Sequence, residues 1–254
     1  MLRSSGSAVL SFGLVSLPVK LYAAAETAEV SLRQLHAKCG KPINLQQVCR
    51  ACGVELKRDD VIKGHEYTKG QYVTFTADEL AALEAEKTSA LEVGEFVPAD
   101  SVDVVYFEKT TYLAPEKGSE KSYSLLALAL NRTGLVGLGQ YTSRGKQHLV
   151  LLRPVGLGLS MHTLHYASAV RGFEQVPCKN VACTESEIAL AVELVQKMAA
   201  PRAELEKYQD ARQARLLEVI DAKVQGHAVE YRTETLRGQA VDLMEAIRES
   251  INKG

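Results

Sequence analysis

The feature that most constrains this chain is a segment that places three cysteines and a histidine close together, HAKCGKPINLQQVCRAC (36–52). Its second half is a CxxC pair followed by Gly53, a residue that readily adopts the positive φ of a ligand-bearing turn. Its first half is an HxxC pair with the same spacing. Four nitrogen and sulfur ligands that leave no open position are typical of structural zinc. The segment therefore predicts a structural zinc site with the ligands His36, Cys39, Cys49 and Cys52.

Two alternatives to zinc stay open for these cysteines, a redox-active CxxC pair and plain reduced thiols. A thioredoxin-type pair would open a helix within a βαβ unit, and no such pattern surrounds Cys49. The first residues lack a signal-peptide core, and no apolar run is long enough to span a bilayer, so we expect a cytoplasmic protein. Closely spaced cysteines in that reducing compartment favour metal binding. Cys178 and Cys183 are expected to be an incidental pair of buried or partly buried thiols.

Hydrophobic patterns divide the chain into a mainly β core, residues 1–180, and a helical region, residues 184–254. The predicted zinc segment is an insertion in the core at 36–53. Short strands are predicted over four stretches, with Pro18 at a strand edge or end and SRGK (143–146) as a tight hairpin tip: 7–24, 61–76, 91–113 and 135–166. Two helices interrupt the core, one at 77–88 with Thr76 as its N-cap and one from Ser119 to just before Gly134.

The helical region begins with a capping box formed by Thr184 and Glu187. Pro201 is expected to restart a helix after a break, and the helical pattern then continues to about Val224. A last pattern, at 236–251, carries an apolar stripe at helical spacing: Leu236, Ala240, Leu243, Ile247 and Ile251. That stripe would either complete a helical bundle or form an outward docking surface.

Charge is unevenly distributed although the formal net charge is −1. The balance of Lys and Arg over Asp and Glu is +4 in residues 1–75, −7 in 76–122, +5 in 123–184 and −3 in 185–254. Two basic blocks separated by acidic ones are typical of a protein that gathers positive charge on one surface for a polyanion. Chance clustering of charge on solvated faces explains the blocks equally well.

Sequence motifs of catalysis are missing from the chain, which contains no GxSxG, GxxxxGK[ST] or GxGxxG pattern. His162 and His165 are three residues apart, but on a strand they point to opposite faces, so they do not predict a shared metal ion. A hydrogen-bonded or phosphate-facing histidine is the better interpretation. We therefore expect that the chain is not an enzyme.

Several long segments resemble the bacterial Ku family, whose members bind broken DNA ends in non-homologous end joining. The resemblance runs in order from about Val9 to the C-terminus and rests on these segments: SFGLVSLPVKLY (11–22), LRQLHAKCG (32–40), YTKGQYV (67–73), EKGSEKSYSLL (116–126), TGLVGLGQYTSRGKQHLVLLRP (133–154) and TLHYASAVR (163–171). The hairpin tip reads SRGKQ where an Arg-Gly-Arg-Glu arrangement is frequent, and the lysine-rich tail of some relatives is missing.

The resemblance implies an α+β, mainly β fold, in which a Ku-type β-barrel core with an extended arm forms a homodimeric ring, followed by a C-terminal helical region. Such a ring would encircle duplex DNA, contact phosphate and sugar, and bind double-strand breaks without sequence preference. The short strands at 91–113 and 135–160 are candidates for the arm and barrel elements that interlock between subunits. The protein would be associated with the bacterial nucleoid when bound to DNA.

Positive side chains in the two basic blocks are the candidates for the DNA-facing surface of the ring. Arg144 and Lys146 are the strongest, since a hairpin tip can reach a groove that a strand centre cannot, whereas Arg3 and Lys38 are weaker. Val150 and Leu152 nearby are expected in the core. The predicted DNA-binding set is Lys20, Lys41, Lys63, Lys69, Arg132, Arg144, Lys146 and Arg153.

The family resemblance also implies a protein partner, an ATP-dependent DNA repair ligase recruited through the C-terminal region. A different class of function fits the basic blocks and the CxxC knuckle alone, namely a zinc-ribbon module that binds RNA or a protein. The two hypotheses differ in their prediction for nucleic-acid topology, because a ring threads onto free ends and a ribbon does not.

Overall fold

A computed structural model describes residues 2–26, 30–83, 89–179 and 181–227. The chain divides into two compact units. The first is drawn from Met1–Thr27 and Gln34–Phe173, and the second from Ala28–Arg33 and Glu174–Gly254. No helix within the described residues has the length and apolar character needed to cross a membrane.

The described residues of the first unit form nine strands and two α-helices. In chain order these are β1 (Gly6–Phe12), β2 (Val15–Ala23), β3 (Lys63–Thr68), β4 (Gln71–Phe75), α1 (Ala77–Leu83), β5 (Ala90–Pro98), β6 (Phe107–Pro115), α2 (Glu120–Thr133), β7 (Leu135–Ser143), β8 (Lys146–Val155) and β9 (Gly158–Leu164). The strands predicted at 7–24, 61–76, 91–113 and 135–166 are therefore confirmed.

Seven of these strands form a closed barrel in the order β1-β2-β6-β9-β8-β7-β5. All neighbours are antiparallel except β1 and β5, which pair in parallel and close the barrel, with Val9 opposite Ala90. Pro18 lies inside β2 rather than at its end, opposite Val9 of β1. It is tolerated there because the ladder of β2 with β6 begins only at Val19.

Strand β8 carries apolar side chains on both faces, and each face packs in a different cluster of buried side chains. Val150 and Leu152 point into the barrel and join its main core, which confirms the prediction for both residues. Leu151 points outward into a second cluster with Val136 and Leu164. A strand buried on both sides lacks the simple alternation of a solvated strand.

Helix α2 closes one end of the barrel. It joins the end of β6 to the start of β7, and its buried face, Tyr123, Leu126, Ala127 and Leu130, packs into the barrel core. The helix begins after Ser119 and ends at Gly134, whose φ of 67° places it in the left-handed region that favours glycine. The predicted bounds of this helix are confirmed.

Strands β3 and β4 form a separate two-stranded sheet that turns at Gly70. Helix α1 follows, and the predicted N-cap is confirmed because the Glu79 backbone N–H donates to Oγ1 of Thr76 over 3.2 Å. Residues 84–88 of the helix predicted at 77–88 lie outside the described residues. All side chains of β3 are exposed, so this hairpin contributes little to the barrel core.

The second unit contains α3 (Glu185–Lys197) and α4 (Ala211–Val224). The capping box of Thr184 and Glu187 is confirmed. The prediction for Pro201 was wrong, since no α-helix begins there and α4 begins only after Asp210, whose carboxylate accepts from two backbone N–H groups. The stripe predicted at 236–251 lies outside the described residues.

Cys178 and Cys183 are exposed, so the expectation that they are buried or partly buried was also wrong.

Candidate nucleic-acid interface

All eight predicted DNA-binding side chains are exposed, and the fold distributes them over four parts of the first unit. Arg144 and Lys146 lie at the β7–β8 turn. Lys20 and Arg153 lie on the outer wall of the barrel, and Arg132 lies in the last turn of α2, at the opposite end from Arg144. The remaining three precede or belong to the β3–β4 hairpin: Lys41, Lys63 and Lys69. A single chain does not gather the set into one cluster.

The β7–β8 turn has only two residues between paired Ser143 and Lys146, which confirms the predicted hairpin tip. Both turn residues have positive φ, 51° for Arg144 and 75° for Gly145, as a type I′ turn requires. Arg144 is the one non-glycine residue with positive φ in the described part of the chain. That conformation costs an arginine roughly 1–2 kcal/mol. This strained conformation places the exposed Arg144 side chain at the tip of the hairpin.

A cavity opens at the end of the barrel that lies opposite α2. Its volume is about 520 Å³, and we call it the barrel mouth; the basic side chains that line it are Lys109, Arg144, Lys146 and His148. Sequence patterns did not point to Lys109 because this residue lies in the acidic block at 76–122. The strand register, which places Lys109 opposite Thr163 of β9, is what brings it to the mouth.

His162 lies on β9 between β6 and β8 and is half-buried. Its Nδ1 lies 2.9 Å from Oγ1 of Thr110 and its Nε2 lies 3.2 Å from Oγ of Ser160. Ser160 donates its own proton to the carbonyl of Arg153, so it accepts from Nε2–H and Thr110 donates to Nδ1. Burial lowers the pKa of His162, and the nearby Arg153 charge lowers it further. The prediction of a hydrogen-bonded histidine is confirmed, and His165 lies beyond the end of the strand.

The segment at 34–56 folds as two knuckles with the same hydrogen bonds, offset by thirteen residues. In each, a glycine with φ of 67° donates its backbone N–H over 2.8 Å, Gly40 to His36 and Gly53 to Cys49. Isolated bridges close both turns at corresponding positions: Leu35–Pro42 and Val48–Glu55. Repeated turns that present paired ligands are the two halves from which a zinc ribbon is built.

Within each knuckle the two predicted ligands are neighbours. Nδ1 of His36 lies 3.1 Å from Sγ of Cys39, and the Cys52 thiol donates to Sγ of Cys49 over 3.0 Å. This hydrogen bond lowers the pKa of Cys49 and raises that of Cys52. However, the described residues contain no group of three or more His, Cys, Asp or Glu side chains placed to hold one metal ion. The donors therefore fit zinc as two pairs, but the structure does not gather all four.

Comparison with known proteins places the barrel in a family context. Residues 11–190 match the family model described as the Ku70/Ku80 beta-barrel domain. A protein of Desulfitobacterium hafniense named non-homologous end joining protein Ku is 38% identical over 243 residues, covering 95% of this chain and 85% of that protein. Proteins with the same name from Bacillus subtilis and Archaeoglobus fulgidus are 36% and 34% identical and cover 96% and 90% of this chain.

These similarities cover the barrel as well as the knuckle segment and extend over most of the chain. They do not support the alternative of a free-standing zinc-ribbon module that binds RNA or a protein, because such a module would match only the knuckle segment. The expectation that the chain is not an enzyme stays a prediction.

Proposed function

The chain belongs to the Ku family, and from that premise we propose that it binds the ends of double-stranded DNA as a homodimeric ring in non-homologous end joining. The observation that carries the proposal is the similarity over 95% of the chain to a relative named for that process. The closed barrel, most of which lies within the residues matched by the family model, supports it.

The proposed contacts are electrostatic and do not distinguish one base from another. The eight predicted cations are exposed, and none of them forms an ion pair with another described residue, so their charges are available to phosphates. Binding of this kind releases counterions and therefore weakens steeply as salt increases. Since one chain spreads the eight cations over four places, a continuous basic lumen would need the second subunit.

The strands at 91–113 and 135–160 were expected to supply both arm and barrel elements, and β5 to β9 all belong to the closed barrel. We propose instead that the knuckles and the β3–β4 hairpin, residues 34–75, form the arm. They lie outside the barrel sheet and expose large apolar side chains, of which Ile62 is 67% exposed and Tyr72 61%. Apolar surface of this kind is what a second subunit would cover.

The salt dependence of DNA binding tests the proposed interface. Replacing Arg144 and Lys146 together with Ala should flatten the slope of log K against log salt by about 0.9 for each phosphate that the protein no longer neutralises. A matched control is the double replacement of Lys117 and Lys121 with Ala, two exposed cations outside the proposed DNA-binding set, which should leave the slope unchanged. Equal slopes for the two double variants would place Arg144 and Lys146 away from the DNA.

We also propose that the two knuckles bind one structural zinc ion through His36, Cys39, Cys49 and Cys52. The repeated turns and the paired donors support this proposal. The ion would supply the link between the knuckles that the side chains do not make on their own. Its expected role is to hold the segment in shape, not to perform chemistry.

Recruitment of an ATP-dependent DNA repair ligase is the third part of the proposed function. Its candidate surface is the apolar stripe at 236–251, which lies outside the described residues. Truncation before Leu236 should leave DNA-end binding intact and abolish stimulation of the ligase. A truncated protein that folds and still stimulates joining would place the docking surface elsewhere.

A further inference from the structure

The barrel mouth has the size and position of a ligand site. Since α2 plugs the other end, the mouth opens at the end where β7 turns into β8 and β6 begins. Its volume of about 520 Å³ falls in the usual range for small-molecule sites, roughly 300–1,000 Å³. Leu21 and Met161, which belong to the barrel core, also line the cavity, so it reaches down to the core rather than lying flat on the surface.

Three permanent cations surround this cavity, Lys109, Arg144 and Lys146. None of them is ion-paired with another residue in the described part of the chain, and Glu108 is the one acid among the residues that line the mouth. The ladder between β6 and β9 shifts register between Phe107 and Lys109. Such bulges redirect side chains, which is consistent with both Glu108 and Lys109 lining the mouth although they are consecutive. Unpaired charges of one sign in a concave site attract an anion.

An aromatic wall adjoins the cations. Tyr141 and His148 face each other across the β7–β8 ladder, and both line the mouth. Tyr141 packs on the barrel core, which restricts its ring. Aromatic side chains beside unpaired cations are the combination that binds nucleotides, because the rings stack on a base while the cations hold the phosphate.

We propose that the barrel mouth binds one nucleotide, with its phosphate at Lys109, Arg144 and Lys146 and its base against Tyr141 and His148. The nucleotide is either free or the unpaired terminal nucleotide of a DNA strand. The shared chemistry is a phosphate joined to a stacked base. Only the second source rests on the proposed DNA-end binding.

Calorimetric titration with deoxyadenosine monophosphate tests the free nucleotide. The variant is Lys109→Gln, an exposed residue outside the set proposed to contact duplex DNA, and Lys121→Gln is the matched control. The wild type and the control should bind one nucleotide per chain, and Lys109→Gln should bind it about tenfold or more weakly, since the variant cannot form the charged hydrogen bond. Deoxyadenosine and pyrophosphate, which lack the phosphate and the base respectively, should each bind more weakly than the nucleotide.

A duplex with one unpaired 3′-terminal 2-aminopurine tests the DNA source. Stacking in the mouth should quench its fluorescence in the wild type and quench it less in Lys109→Gln, while both proteins bind a blunt duplex equally. If the fluorescence is quenched and the free nucleotide does not bind, the DNA terminus is the ligand. If the free nucleotide binds and the fluorescence is not quenched, the free nucleotide is the ligand. Absence of both overturns the proposal. If the protein binds no duplex at all, the proposed end binding is wrong. The titration with free nucleotide then tests by itself whether the barrel mouth binds a nucleotide.

Discussion

Nδ1 of His162 lies 2.9 Å from Oγ1 of Thr110, across the ladder that joins β6 and β9. Because Oγ of Ser160 accepts a hydrogen bond from Nε2–H on the other side of the ring, the fold selects a neutral imidazole of one tautomer. Burial and the Arg153 charge disfavour the protonated ring, and together they hold the pKa of His162 below its ordinary value of 6.5.

This lowered pKa predicts that the protein loses stability in mildly acidic solution. The unfolded chain takes up a proton at His162 before the folded chain does, so stability is full above 6.5 and falls as the pH drops toward the folded pKa. The Glu79 and Glu187 caps, whose pKa values are lowered from 4.5 by hydrogen bonds from Thr76 and Thr184, add their losses only below that value.

The measurement is the urea midpoint at about pH 7.5, where the His162 contribution is full, and at about pH 5.5, which is below 6.5 and above the range of the two glutamates. His162→Gln should show a smaller difference between the two pH values than the wild type. His165→Gln, beyond the end of β9, should behave as the wild type does. The account of His162 fails if its replacement leaves the difference unchanged.

Removal of the Tyr123 hydroxyl should lower the stability of the protein. It donates to the carbonyl of Leu113 over 2.6 Å and accepts from the backbone N–H of Leu159 over 2.8 Å. Tyr123→Phe leaves both backbone groups without this partner in the barrel core, which costs about 1–3 kcal/mol of unfolding free energy. Tyr112→Phe is the control, since Tyr112 is 43% exposed, and it should cost less than about 0.5 kcal/mol. Similar costs for the two variants would contradict the role assigned to the Tyr123 hydroxyl.

The two knuckles predict about one zinc ion per chain in purified protein. Cys49→Ser should remove the metal and lower the melting temperature more than it lowers DNA affinity per folded molecule. Cys178→Ser, an exposed cysteine of the second unit, should retain both metal and stability. Metal analysis and thermal melting check this together, and metal-free protein of unchanged stability would refute the structural role.

Local signals were sufficient for the elements that end in a cap or a turn. Ser119 and Gly134 correctly bounded α2, and Thr184 with Glu187 correctly began α3. Pro201 misled because proline can open a helix but does not require one, and the capping carboxylate of Asp210 decided where α4 begins. The residues that decide where these helices begin and end lie within one or two turns of the boundary. A local sequence pattern is therefore enough to predict them.

Contacts between distant strands could not be predicted in this way. The parallel pairing of β1 with β5 closes the barrel, and no local pattern in either strand indicates it. Gly139 is needed because a Cβ there would collide with the carbonyl of Glu92, a contact that only the β5–β7 register creates. Lys109 was missed at the barrel mouth for the same reason. The candidate DNA residues stay predictions, since composition locates charge along the chain and not on an assembled surface.

Two copies of this chain are proposed to form a ring that threads onto free DNA ends. The most direct measurement is competition for a labelled linear duplex by unlabelled duplex of the same sequence, either linear or covalently closed. If the protein only contacted phosphates, linear and closed circular duplex would compete equally well. A ring can thread only onto the duplex that has free ends. Linear DNA should displace the label, and closed circular DNA should not. Equal displacement by both would contradict it.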